Sequence, residues 1–300
     1  MLHARAVLLI AAYLLMPSTV LLAEDFSGTV RKIVEKSTLD QEGTKPFHLK
    51  AAFAPERNPE KEPEKQGEIE YWWASPNRWR REIRSLHFNQ TLIVSDGRQW
   101  ERTDSDYLPS WLNNLAVELV RPVPIAPNEL ASHVKTAEVK HLAFRGTPVS
   151  TNIQWEESMG VGSELGQEMW HLDIKDDPGV ITLAMGRGFD AELSDYASFE
   201  GRRVARTIGA DGITAKIIVL ERLGETPKDF FDTNLPGGDA QPIEIIALTQ
   251  AELEKNLIGA NFQWPEVENG PFEGLAGTEI TVDRAGKVRE LGFFAPENPA

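Results

Sequence analysis

The chain of 300 residues contains no cysteine. That absence excludes a disulfide scaffold, thiolate metal sites, a cysteine nucleophile and a lipid-modified N-terminal Cys, so stability must come from an ordinary hydrophobic core. After residue 23 no apolar run approaches membrane-spanning length, and the body of the chain is expected to be soluble. Positive charge is also short: 31 Lys and Arg stand against 46 Asp and Glu, a formal net charge of −15. Such a surface repels phosphate backbones and anionic headgroups. Nucleic acid is therefore not an expected partner, and lipid contact is expected through a pocket, with only transient membrane contact unless the N-terminal segment stays uncleaved.

Recognisable catalytic patterns are missing as well. The six histidines, His3, His48, His87, His133, His141 and His171, form no HExxH pair and have no i, i+4 partner. Gly160 to Gly166 lacks the Lys-Ser/Thr ending of a phosphate loop and the spacing of a dinucleotide fingerprint, and a hairpin turn accounts for its glycines. Gly-x-Ser-x-Gly does not occur. Asp173, Asp176 and Asp177 lack the alternation and distal Glu of a calcium loop, and Asp176-Asp177-Pro178-Gly179 is a turn signal. No catalytic residue, metal or cofactor is expected, and the protein reads as non-enzymatic.

Met1 to Ala23 has a short n-region with Arg5, an apolar stretch from Ala6, and Leu21-Leu22-Ala23 before Glu24-Asp25. It reads as a secretory signal peptide, with an uncleaved inner-membrane anchor as the rival reading. Asp25 to Thr38 has helical spacing, with Phe26, Val30, Ile33 and Val34 on one side. Lys45 to Ala54 alternates as a strand, and the charged Pro55 to Gln66 reads as a solvated loop. Pro109 to Arg121 is helical, with Trp111, Leu112, Leu115, Leu119 and Val120 forming an apolar stripe before Pro122 and Pro124. That helix, and a short one from Pro127, are expected to cover the apolar face of a sheet. Strand patterns recur from Val134 to Leu220.

The most informative stretch is Gly67 to Trp100, where about five β-forming runs follow one another as an antiparallel meander. Ile69, Tyr71 and Trp73, then Trp79 and Ile83, then Leu92 and Val94 share one face. Glu68, Glu70 and Glu82 read as the solvated other face, and the basic run Arg78, Arg80, Arg81 and Arg84 reads as a solvated face with cross-strand ion pairs rather than as an anion site. The candidate ligand-binding residues are Tyr71, Trp73, Trp79, Ile83, Trp100 and Trp111. They either fill a core between sheet and helices or line a concave pocket, and eight tryptophans against four tyrosines supply bulky rings for both.

This stretch resembles the LolA-like periplasmic lipoprotein carriers, on Gly67, Pro76-Asn77, Trp79, the run Leu92 to Gly97, and Trp100. The resemblance covers about thirty residues closely and extends more weakly to about residue 235. It implies an α+β, mainly antiparallel β architecture, a curved half-barrel sheet covered by helices and enclosing acyl chains. One position departs from the carriers: the arginine that precedes Pro-Asn there and helps hold the lid closed is Ser75 here. Further on, EITVDRAGKVREL (279–291) resembles the opening of the TonB C-terminal domain. The expected organisation is a signal peptide (1–23), a LolA-like domain (24–235), a linker with a short helix capped by Thr249 and Glu252 (236–260), and an incomplete C-terminal β-hairpin module (261–300). Two functions follow as expectations. One is a secreted or periplasmic protein binding a lipid or an acylated protein. The other is a TonB-like interaction protein that contacts an envelope protein through its C-terminal module while the sheet acts as spacer.

Overall fold

The computed structural model describes residues 20–144, 147–158, 167–186, 189–243, 277–282 and 287–294. The meander forms β2 (Gly67–Ser75), β3 (Arg78–Ser85), β4 (Gln90–Ser95) and β5 (Arg98–Thr103), preceded by β1 (Phe47–Pro55). There are four strands between Gly67 and Thr103, not five, because Leu86 to Asn89 form a turn closed by hydrogen bonds between Ser85 and Phe88. A second meander follows: β6 (Glu138–Phe144), β7 (Thr147–Ser158), β8 (Gln167–Lys175), β9 (Val180–Gly186), β10 (Phe189–Phe199), β11 (Arg202–Ala210) and β12 (Ile213–Arg222). With β13 (Asp239–Pro242), they make a 13-stranded sheet in the order β13-β5-β4-β3-β2-β1-β12-β11-β10-β9-β8-β7-β6. Each meander pairs neighbours in sequence, and β1 joins the two by pairing with both β2 and β12. The sheet is open: β13 and β6 are its two ends.

Three helices cover one face: α1 (Val20–Ser37), α2 (Ser110–Glu118) and α3 (Pro127–Val134). The expected stripes are the faces they bury. Val30 and Val34 of α1, Leu112, Leu115 and Ala116 of α2, and Leu130 and Val134 of α3 join one core with Phe47, Leu49, Phe53, Ile69, Tyr71, Trp73 and Ile83. Strand parity does the rest, since alternate residues of β1 are fully buried while His48 and Lys50 point outward. At Gly67, a Cβ would lie 2.2 Å from the Arg84 carbonyl oxygen, so the glycine that opens β2 permits a close approach of β3.

Outside, ion pairs cross the strands as expected. Lys50 Nζ of β1 lies 2.8 Å from Glu68 of β2 and Arg84 of β3 3.3 Å from Glu70 of β2, while Arg80 Nη2 pairs at 2.5 Å with Glu82 of its own strand. His48 stacks on Trp72 with ring centroids 5.3 Å apart and places its two ring nitrogens 2.8 and 3.0 Å from Glu70 and Glu221.

This outer face is not wholly solvated, however. After β12 the chain turns back across it, and Phe231 packs with Ile93 and Trp100 in a second, small core, with Trp72, Phe230 and Leu235 at its margin. Arg80 Nη1 donates to the Phe230 carbonyl at 3.2 Å and Trp100 Nε1 to that of Leu235 at 2.8 Å. The strap ends in β13, where Ala240 pairs with Trp100. Residues 239–242, expected as linker, are thus an edge strand of the sheet.

β14 (Gly277–Val282) and β15 (Val288–Phe294) form a separate two-stranded sheet at the strand positions expected from the sequence. It touches the start of α2 and the segment before it: Arg289 Nη2 lies 3.2 Å from Asp106, and the Ser110 backbone N–H donates to Glu290 at 2.9 Å. Residues 1–19 of the signal segment, the helix expected from Thr249, and the hairpin turn 283–286 lie outside the described residues.

Candidate functional site

Between β2, β3 and the end of α2 the main core leaves a recessed cavity of about 240 Å³. Tyr71 and Trp73 of β2 and Trp79 and Arg81 of β3 form its floor, and Pro76 of the intervening turn closes one side. Val117, Val120 and Arg121 come from α2 and the turn after it, and Asp40 from the loop after α1. Parity explains the floor, because Trp73 pairs with Trp79 and Tyr71 with Arg81 in the β2–β3 register, so all four point the same way.

Each wall is fixed by a specific contact. The Tyr71 hydroxyl donates to the Ala116 carbonyl at 2.8 Å, which ties β2 to α2. Trp73 stacks on Phe47 at 5.4 Å with an interplanar angle of 14°, and Tyr71 and Trp79 lie 6.4 Å apart. At the rim, Arg121 holds Asp40 in a two-point pair, Nε to Oδ1 at 3.1 Å and Nη2 to Oδ2 at 2.9 Å. The Leu39 N–H donates to the Val120 carbonyl at 2.7 Å, so the loop after α1 and the end of α2 are joined twice. Burial pushes the Asp40 carboxyl pKa up, and Arg121 offsets part of the rise. Burial likewise raises the Tyr71 hydroxyl, with the charge of Arg81 pulling the other way.

Arg81 is the unusual member. It is 6 % exposed, and its one side-chain hydrogen bond of normal geometry runs from Nη2 to Gln90 Oε1 at 2.8 Å. Gln90 in turn donates to Glu101 at 2.8 Å. The Arg81 Nε–H is buried with no acceptor.

Of the six residues expected at the site, Tyr71, Trp73 and Trp79 are together in this cavity. Ile83 is 1 % exposed on the same face but belongs to the packed core rather than the cavity wall. Trp111 packs edge-on against Phe53 at 5.9 Å and is also outside the wall. Trp100 sits on the other side of the sheet. It pairs with Ile93, which pairs with Arg80, which pairs with Trp72, and all four face the strap. Asp40, Val117 and Arg121 were not expected at the site and Val120 was expected only in the apolar stripe of the covering helix; the fold brings all four to the cavity. Arg81, expected in the solvated basic run, is instead buried in the cavity floor, because it lies two residues from both Trp79 and Ile83 and shares their face, unlike Arg80 and Arg84.

A larger recess of about 480 Å³ near the far ends of β3 to β5 is walled by Glu82, Arg84, Asn89, Arg102 and Asp104 among others. Its charged walls suit water better than an apolar ligand.

No known family matches this sequence, and no curated protein does. Among solved structures, a LolA superfamily protein from Nitrosomonas europaea aligns over 67% of this chain and 96% of its own, at 10% identity and a TM-score of 0.38. The open antiparallel architecture described above rests on the strand pairings themselves. The TonB-like reading of residues 261–300 gains no support from these comparisons. Among the described residues, no helix is long and apolar enough to cross a membrane.

Proposed function

We propose that this chain is a non-enzymatic envelope protein, exported through its Met1 to Ala23 segment, that holds the apolar part of a small lipid or an acylated protein in the cavity beneath α2. The observation that supports it is the wall of Tyr71, Trp73 and Trp79 around a cavity of about 240 Å³. That volume exceeds the roughly 150 Å³ of a cavity known to accept benzene and falls below the roughly 300 Å³ at which drug-sized sites begin. It suits one short alkyl chain or one ring. Larger acyl groups require α2 and the loop after α1 to move apart, which breaks the Asp40–Arg121 pair.

The test is a titration with 1-octanol followed by tryptophan fluorescence. Wild-type protein is expected to show a saturable change. Trp79→Ala should weaken binding about tenfold through lost contact area. Arg84→Ala, on the outer face and 51% exposed, should leave it unchanged. No spectral response up to the solubility limit of octanol would make the rings ordinary core.

We further propose that the described chain forms two folding units, the sheet with its helices and strap to Pro242, and the β14–β15 hairpin. A two-stranded hairpin is marginal alone in water. Amide hydrogen exchange should therefore be much faster in β14–β15 than in β2–β5, and equal protection would make the hairpin an integral part of the larger unit.

A further inference from the structure

We infer that the ligand of this cavity is an anionic amphiphile, a short alkyl chain carrying a carboxylate, with its head at Arg81 and its tail against Trp73 and Trp79. This rests on the proposed binding function and adds to it the chemistry of the headgroup.

The argument starts from an unbalanced charge. Arg81 is always cationic at physiological pH, and here it is buried on the apolar face of the sheet as part of the cavity floor. Buried cations are ordinarily paired with carboxylates, because a charge taken out of water without a counter-ion is costly. Among the described residues Arg81 makes no ion pair: its Nη2 bonds the neutral Gln90 amide, its other polar neighbour is the neutral Tyr71 hydroxyl, and Glu101 lies one hydrogen bond further away. The arginines on the outer face of β3 contrast with it, since Arg80 and Arg84 both contact Glu82. A core arginine has no packing advantage over Met or Leu that would explain it.

Its surroundings match a single-headed amphiphile. The Nε–H is a buried donor with no acceptor, and guanidinium is shaped to bind carboxylate. The Tyr71 ring and Trp79 flank Arg81 with apolar surface, and at the rim the positive charge of Arg121 is already neutralised by Asp40. The cavity therefore carries one uncompensated positive charge at its floor. An incoming carboxylate supplies the missing counter-ion, whereas a neutral alcohol of equal length leaves the charge unmatched. The acidic exterior does not oppose this locally, since Asp40 is the only carboxylate among the cavity-lining residues and it is engaged by Arg121.

The experiment compares octanoate with 1-octanol by calorimetric titration at neutral pH and fixed ionic strength. Both are measured on wild-type protein, Arg81→Met and Arg81→Lys. Octanoate is expected to bind wild type at least about tenfold more tightly than octanol. Arg81→Met should erase that preference, bringing the ratio of octanoate to octanol affinity to about one, and Arg81→Lys should retain part of it. Met replaces a buried unpaired charge with an apolar side chain of similar length, so the variant is expected to fold, and the wild-type comparison stands without it. Equal affinity for the two probes in wild type overturns the headgroup assignment and leaves the apolar site intact. A preference that survives Arg81→Met overturns it too. Failure of both probes to bind overturns the binding function together with this inference.

Discussion

Glu118→Gln is expected to stabilise the protein by on the order of 4 kcal/mol at pH 9 and to have almost no effect at pH 4. Glu118 ends α2 at 1 % exposure, and neither carboxylate oxygen has a hydrogen-bond partner of normal geometry. Burial, reinforced by the negative charges of Asp211 and Asp190, pushes its pKa from 4.5 to about 8, and the nearby Asp190 backbone N–H offsets only part of that. The folded state therefore holds a proton that the unfolded state releases above pH 4.5. Because the folded state binds more protons, stability falls as pH rises from about 4.5 to about 8 and then levels off. Asp211 in the same cluster is raised too, by burial and then by the charge of Asp190, with Lys65 pulling the other way. The variant removes only the Glu118 contribution. Urea unfolding of both proteins from pH 4 to pH 9 should give curves that coincide at the acid end and diverge steadily toward the alkaline end. Parallel curves would mean that Glu118 is ionised in the folded protein.

Trp170→Ala is expected to cost about 3–5 kcal/mol, a large share of the stability of any single unit. Trp170, on β8, is 1 % exposed and lies parallel to Trp155 of β7, with centroids 5.6 Å apart and an interplanar angle of 2°. His133 of α3 stacks on the other face of Trp155 at 5.7 Å, so three rings link the helical layer to the sheet. At Gly186 the backbone takes a φ of +139°, and a Cβ there would fall 2.4 Å from the Trp170 ring. The ring is thus covered by backbone as well as side chains, and its removal leaves a hole that the strands cannot easily collapse around. Met169, next in sequence but 52% exposed on the outer face, is the control, and Met169→Ala should change stability by no more than about 0.5 kcal/mol. A Trp170→Ala midpoint close to wild type would show that the stack bears little of the core's stability.

Much of this fold could be read from local pattern. Apart from β13 and the count in the first meander, the strands fall near where alternation places them, and the α1 and α2 stripes are the buried faces, because period 2 and period 3.6 are properties of the chain itself. Tyr71, Trp73 and Trp79 reached a common cavity for the same reason: residues two apart share a face, and a short Pro76-Asn77 turn returns the next strand in register. Arg81 follows from the same parity, though its neighbours Arg80 and Arg84 disguise it as part of a basic surface run.

Other features depended on which distant segments meet. Alternation assigned Trp100 to a face only relative to its own strand, and the pairing of Ile93 with Trp100 turned it toward the strap. The strap itself closes over β2 to β5 through contacts between residues 135 and 150 positions apart, a relation no local period encodes. The cavity's small volume, the Asp40–Arg121 rim and the burial of Glu118 against Asp190 and Asp211 likewise arise from where helices settle on the sheet. By itself, then, the sequence determined the elements and the apolar face of each, since those are set by backbone geometry within a few residues. Tertiary structure alone decided what covers each face and which charges are left without partners, because burial and electrostatic compensation depend on segments far apart in the chain.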